Sequence, residues 1–345
     1  MNLRHIFILP ALLAAMACSD DSPVTPDTPD TPEGPDITNS VEKLVSIDAG
    51  QTFQTIAGFG ASDCWSPAFV GKSWTSHRAG ITELLFYSEI VGGKPKGIGL
   101  SQWRVNLGGG SAAQGEACGI EDKSRRAESY LTDDLTYDWT RCEGQRYFMD
   151  RAKELGCNNF VLFSNTPPVQ YTYNGKGFSA RGGLSNLKPE HYGDFAGYMA
   201  DVAARYTGEG YHISHISPVN EPQYNWDSGQ EGSGWTNDEV AALARELDMS
   251  LDARGLSTDI LLGESGDWEY LYKVKGDANR SNVLSAFFTP GSSAYVGDLA
   301  HVKNLICGHS YWTHCTWDGI PEGKRHLRYR LPTFRTFVLC LSALC

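Results

Sequence analysis

From about residue 41 the chain alternates short runs rich in β-branched and aromatic residues with longer stretches whose apolar positions recur at helical spacing. That alternation constrains the fold more than any other feature. A helix between two strands returns the chain to the same end of the sheet and makes the strands parallel. Strands are expected at 55–60, 100–107, 159–164, 213–219, 259–263 and 305–310, and helices at 81–88, 144–155, 190–206, 237–254 and 282–288. The helix from 237 is the best marked. Asn237 stands where a cap belongs, Glu239 lies in the first turn, and Val240, Leu243, Ala244, Leu247 and Leu251 form one apolar stripe.

Six strand candidates, each followed by polar and aromatic residues, predict an α/β (β/α)8 TIM barrel whose site lies in the loops at the C-terminal strand ends. An open doubly wound sheet is the competing architecture, and it calls for a nucleotide loop after an early strand. The first candidate, Gly58-Phe59-Gly60-Ala61-Ser62-Asp63, lacks the third glycine of the dinucleotide fingerprint, and the chain contains no GxxxxGK[ST]. No cofactor is therefore expected. Gly108-Gly109-Gly110 reads as a sharp turn leaving a strand.

Residues 1–17 read as an export signal, with Arg4 and His5 ahead of an apolar run too short to span a bilayer. Leu13-Ala14-Ala15-Met16-Ala17-Cys18 resembles a lipoprotein signal in which Cys18 becomes the lipidated first residue, and Ser19-Asp20-Asp21 resembles an acidic surface-export signal. Residues 18–40 repeat Pro, Thr and Asp and cannot bury enough surface to offset ordering entropy, so they read as a tether. The expected organisation is a signal peptide at 1–17, a lipidated tether at 18–40, a partial barrel at 41–325 and an atypical tail at 326–345. The expected location is the outer membrane or cell surface, with the membrane reached by the lipid anchor alone. A net charge of −12 argues against nucleic acid, whose binding rests on Lys and Arg displacing phosphate counterions. Of the nine cysteines, Cys118 and Cys142 are the first pair to test for a disulfide.

The most informative stretch runs from His215 to Trp226, where an apolar strand ends in Asn220-Glu221-Pro222. A carboxyl emerging there stands where barrel enzymes keep their sites, and Pro222 disfavours helical geometry at Glu221. Rings such as Tyr224 and Trp226 would desolvate its charged form and raise its pKa toward the range of a general acid. Cys307, His309, His314 and Cys315 do not make a zinc site, because Cys307-x-His309 is too tight for paired ligands, so no metal is expected. Ser265 in Gly263-Glu264-Ser265-Gly266 does not fit the GxSxG nucleophile elbow.

Six ordered segments carry a resemblance: IAGFGASDCWSP, WRVNLGGG, FSNTPPVQYTYNGK, SPVNEPQYNW, LLGESGDWEYLY and GHSYWT. Over roughly residues 45–325 the sequence resembles glycoside hydrolase family 30, and GHSYWTHCTWDGIPE with GESGDW looks most like its endo-β-1,6-galactanase-like members. β-1,6-Glucanases, glucosylceramidases and xylanases are the nearby alternatives. The resemblance implies a retaining hydrolase of extracellular polysaccharide. In it Glu221 is the acid/base carboxyl, Asn220 bonds the hydroxyl beside the reacting carbon, and Arg104 holds the nucleophile ionised. Asp63 is a candidate for a hydroxyl contact. Trp65, Tyr171, Trp226, Tyr311 and Trp317 are candidates for stacking on sugar faces or for packing. His309 would line the site.

The sequence departs from this family at the second carboxylate, expected on the seventh strand. No Asp or Glu follows Glu322, and the last residues, LPTFRTFVLCLSALC, lead to no such segment. The reading frame is expected to be truncated or shifted near residues 324–330, leaving about six βα units without the closing strands or the side β-sandwich. Glu264 is the one obvious substitute, better read as a structural or substrate-contacting residue. The chain is then an enzyme inactive as written, or a carbohydrate-binding surface lipoprotein.

Overall fold

The computed structural model describes residues 48–52 and 56–309, together with the backbone of 335–338. The chain divides into two units, Met1–Thr55 and Ile56–Cys345. In the first, residues 48–52 make a turn in which the Gly50 amide donates to the Asp48 carboxylate at 2.9 Å. The signal, Cys18 and the tether lie outside the described residues.

The second unit is built on one sheet. Its strands are β1 (Gly60–Ser62), β4 (Gln102–Asn106), β5 (Asn159–Phe163), β6 (Ile213–Ser217), β7 (Asp259–Ser265), β8 (Val302–Gly308) and β9 (Arg335–Val338), in that order and all parallel. A two-stranded hairpin, β2 (Ile90–Val91) with β3 (Lys94–Pro95), stands apart. The helices are α1 (Ser66–Ser73), α2 (Arg78–Phe86), α3 (Glu143–Glu154), α4 (Tyr192–Gly208), α5 (Asn237–Asp252), α6 (Glu269–Tyr272) and α7 (Val283–Phe288). This is the α/β architecture of a TIM barrel, with no pairing between β9 and β1 among the described residues.

Alternation along the strands sorts the core into two layers, as parallel strands buried on both faces require. Trp103, Val105, Phe160, Leu162, Ile260, Leu262 and Ile306 point outward and join the helices in the main core. Val161, Leu261 and Cys307 point inward and make a small cluster inside the sheet. Trp103 is held edge-on by Phe86 and stacked by Phe148, which locks β4 against α2 and α3.

The expected elements are present with shifted ends. The first strand begins at Gly60 rather than 55, and Phe59 just before it is exposed. The cap of α5 is Thr236, not Asn237. Its hydroxyl accepts from the Glu239 amide at 3.2 Å, and the Glu239 carboxylate accepts from the Thr236 amide at 2.8 Å, a reciprocal capping box. A seventh strand, β9, falls in the tail expected to be atypical; its Thr-Phe-Val run is β-branched and aromatic. Helix α1 was not expected, because Pro67 and Gly71 interrupt its apolar pattern. Cys118 and Cys142 each carry a free thiol, so the suggested disulfide is absent. Among the described residues no helix is long and apolar enough to cross a membrane.

Candidate active site

The inward face of the sheet carries a connected set of charges at its C-terminal end. Arg104 points inward because Trp103 and Val105 on either side of it point outward. Its guanidinium lies over the Phe163 ring, 3.1 Å from the centroid, and one Nη donates both to Asn220 Oδ1 at 2.8 Å and to Glu264 Oε2 at 2.9 Å. Glu264 should by strict alternation share the outward face of Leu262. Instead the β7–β8 register shifts between Leu262 and Ser265, and Gly263 takes φ +113°, where a side chain would strike the Cys307 carbonyl. The resulting bulge turns Glu264 inward, at φ +43°.

His309, one residue beyond β8, continues the inward series of Cys307. Its amide donates to the Ser265 carbonyl at 2.7 Å. Its Nε2 stands 2.6 Å from Glu264 Oε2, and its Nδ1 stands 2.7 Å from Glu221 Oε1. One imidazole thus lies between two carboxylates. Their exposure differs: the Glu221 side chain keeps 15% of its surface and the Glu264 side chain none. Burial would push the Glu264 carboxyl up, but Arg104 and His309 outweigh it and hold it down at about 2. Burial pulls His309 down, and its hydrogen bonds to Glu221 and Glu264 reverse that and raise it.

Glu221 follows β6 at φ +43°, in the left-handed region. Among the described residues its carboxylate meets the His309 imidazole rather than the Tyr224 and Trp226 rings expected from the sequence. Trp226 uses its indole N–H on the Glu221 carbonyl at 3.0 Å and packs under the loop against Gly232, while Tyr224 is exposed.

The other expected contacts are distributed as follows. Asp63 is buried and accepts from the Asn106 amide at 2.8 Å and Gln145 Nε2 at 2.6 Å, so its carboxyl serves the loops and is not open to a sugar. Burial, only partly offset by Gln145, the Asn106 amide and Arg104, raises it to about 6. Trp65 is half-buried with the Arg125 guanidinium 5.7 Å from its ring. Tyr171 is buried and stacks on His191 at 4.9 Å. Tyr311, Trp317, His314 and Cys315 lie outside the described residues. Among those that are described, no group of three or more His, Cys, Asp or Glu is placed to hold a metal ion.

One buried acid was missed. Glu231 accepts from the Gly109 amide at 2.8 Å and the Ser111 amide at 3.0 Å, tying the loop after β6 to the Gly108–Gly110 turn after β4. A Cβ on Gly109 would contact Thr166 at 2.5 Å, so the glycines of that turn, noted in the sequence, were the available signal of a close approach.

A model of the family described as O-Glycosyl hydrolase family 30 matches residues 42–333. An endo-beta-1,6-galactanase from Hypocrea rufa is 25% identical over 245 residues, covering 65% of this chain and 50% of that protein. A conserved exported protein from Bacteroides fragilis has a similar structure, with TM-score 0.79 and 31% identity over 84% of this chain and 61% of that one. The catalytic domain of the GH30 xylanase C from Talaromyces cellulolyticus shares the fold, with TM-score 0.52 and 19% identity over 76% of this chain and 55% of that one. The chain spans half the length of the galactanase it matches.

Proposed function

The chain belongs to O-glycosyl hydrolase family 30, and on that premise we propose that it is a retaining, endo-β-1,6-galactanase-like hydrolase of extracellular polysaccharide with Glu221 as its proton donor. The observation that carries this reading is the convergence of Glu221, Asn220, Arg104 and His309 at the C-terminal ends of parallel strands, where barrel enzymes do their chemistry. Glu221 protonates the glycosidic oxygen as the bond breaks, and Asn220 bonds the neighbouring hydroxyl. Trp65, half-buried beside the Arg125 guanidinium, contributes apolar surface to the sugar cleft. The signal sequence and the exported relative support export, with anchoring through Cys18.

Retention requires a second carboxylate about 5–5.5 Å from the first. Glu264 offers no exposed surface, and β9 consists of Arg335, Thr336, Phe337 and Val338, without a carboxyl. These two facts favour one alternative reading, a surface protein that holds polysaccharide in the same cleft without cleaving it. Release of sugar from β-1,6-galactan, abolished by Glu221→Gln, supports the enzyme. Retention of the polysaccharide without release, indifferent to that change, supports the binding protein.

A further inference from the structure

Glu264 has no direct part in the hydrolysis proposed above, yet its placement is costly. Its side chain has no exposed surface and its backbone sits at φ +43°. Both a buried charge and a left-handed non-glycine residue persist only where their surroundings over-determine them. Its Oε2 takes Arg104 at 2.9 Å and His309 at 2.6 Å, and its carbonyl accepts the Glu221 amide at 3.0 Å. The same Arg104 nitrogen reaches Asn220, and the same His309 ring reaches Glu221. The Arg104 link to Asn220 and the His309 link to Glu221 therefore each pass through a group that Glu264 touches.

A ring with an ionised carboxylate oxygen at each nitrogen satisfies both only by donating from both, which makes it an imidazolium; when Glu221 is protonated as the donor it keeps this contact by accepting at Oε1 and carrying its proton on Oε2. Among the described residues, the titratable and charged groups around it are Glu221 from the loop after β6, Glu264 from β7, Arg104 from β4 behind Glu264, Asp63 after β1 beside Arg104, and Cys307 from β8 itself. The Cys307 thiol accepts the Glu264 amide at 3.2 Å and burial keeps it neutral.

We propose that Glu264 is a positioning residue of the glycosidase site, its carboxylate fixing Arg104 and His309 from below so that Asn220 and Glu221 are held toward the sugar. This rests on the reading of Glu221 as proton donor. The test uses the full chain with ¹⁵N-labelled histidine. At about pH 7.5 both ring nitrogens of His309 should carry protons, and Glu264→Gln should lower its proton affinity by about tenfold or more. A neutral His309 ring in the unaltered chain overturns the proposal even if the variant does not fold. On β-1,6-galactan, Glu264→Gln should lower kcat by about 100-fold with KM little changed, as displacement of a catalytic group does. If His309 responds to Glu264→Gln but no form of the chain releases sugar, the linkage stands and the reading of Glu221 falls. If sugar release depends on Glu221 while His309 titrates identically in Glu264→Gln, the proposal is overturned.

Discussion

Glu221 and Glu264 are joined twice: the Glu221 amide donates to the Glu264 carbonyl at 3.0 Å, and their carboxylates take opposite nitrogens of the His309 ring. Both sit at φ +43°, Glu264 one residue before the end of β7 and Glu221 four residues beyond β6. Two acids on neighbouring strands thus acquire different surroundings, one at the rim beside an imidazole and one beneath it against a guanidinium. Different environments for paired carboxyls are how one site separates a proton donor from a fixed anion.

Replacing Arg104 by Met leaves Glu264 ionised in the interior with only His309 to balance it. Losing one partner of a buried pair costs about 3–5 kcal/mol. Urea unfolding at neutral pH should show a loss of that size, and the loss should shrink below about pH 4, where an unpaired carboxyl takes up a proton. An equal loss at both pH values would mean that packing on Phe163, not charge, is the cause.

Asp63 and Glu264 give opposite pH dependences. Glu264, held at about 2 against an ordinary 4.5, stabilises the fold above pH 4.5, and that contribution is lost as pH falls through 2. Asp63, raised from 3.8 to about 6, does the reverse. Its protonated form fits the fold best below pH 3.8, and stability falls as pH rises toward 6. A shift of about two units corresponds to about 3 kcal/mol. Asp63→Asn should therefore flatten the stability curve between pH 4 and 6, measured by urea midpoints across that range, while leaving the acid limb in place. Retention of the full slope in the variant would assign it to other groups.

How far the sequence reaches can be judged from particular residues. The alternation of strand and helix located β4, β5, β6, β7 and β8 to within a few residues, because burial on both faces leaves a dense apolar run, whereas the exposed β1 begins five residues later than expected. Glu221 was legible because a strand ending in Asn-Glu-Pro is a local pattern. Glu264 was found but its inward aim was not, since it depends on a bulge; Gly263 in a strand interior was the one hint. The α5 cap was misplaced by one residue although Thr236-Asn237-Asp238-Glu239 spells a capping box. Glu231 joins residues 122 positions apart in sequence, and no local pattern announces such a contact.

Helices α1 and α3 approach at Gly71 and Gly144. A Cβ on Gly144 would lie inside the van der Waals surface of the Ala68 carbonyl, and one on Gly71 inside that of the Gly144 carbonyl. Backbone cannot yield as a flexible side chain can, so Gly144→Ala should cost about 1–3 kcal/mol or more despite the better helix propensity of alanine. Thermal unfolding of the variant checks this. A rise in midpoint would show that the helices can separate at little cost.

Glu231 is fully buried, and burial raises its carboxyl above the usual range in spite of donation from the Gly109 and Ser111 amides. In Glu231→Gln one of the two acceptor oxygens becomes an NH2 group facing a backbone N–H. A buried donor left without its acceptor costs about 1–3 kcal/mol. The loss should appear locally, because the carboxylate ties the Gly108–Gly110 turn to the loop that carries Glu221. Amide hydrogen exchange should accelerate at Gly109 and Ser111 in the variant, with the α4 and α5 amides unchanged. Acceleration spread evenly over the chain would mean that Glu231 supports the barrel as a whole and not this junction. The sign with pH follows from the raised carboxyl. The protonated acid fits the fold better than it fits the unfolded chain, so its contribution is full below the ordinary range near pH 4.5 and declines as pH rises through the folded value. The stability difference between native chain and variant should therefore narrow as the pH is raised across that interval.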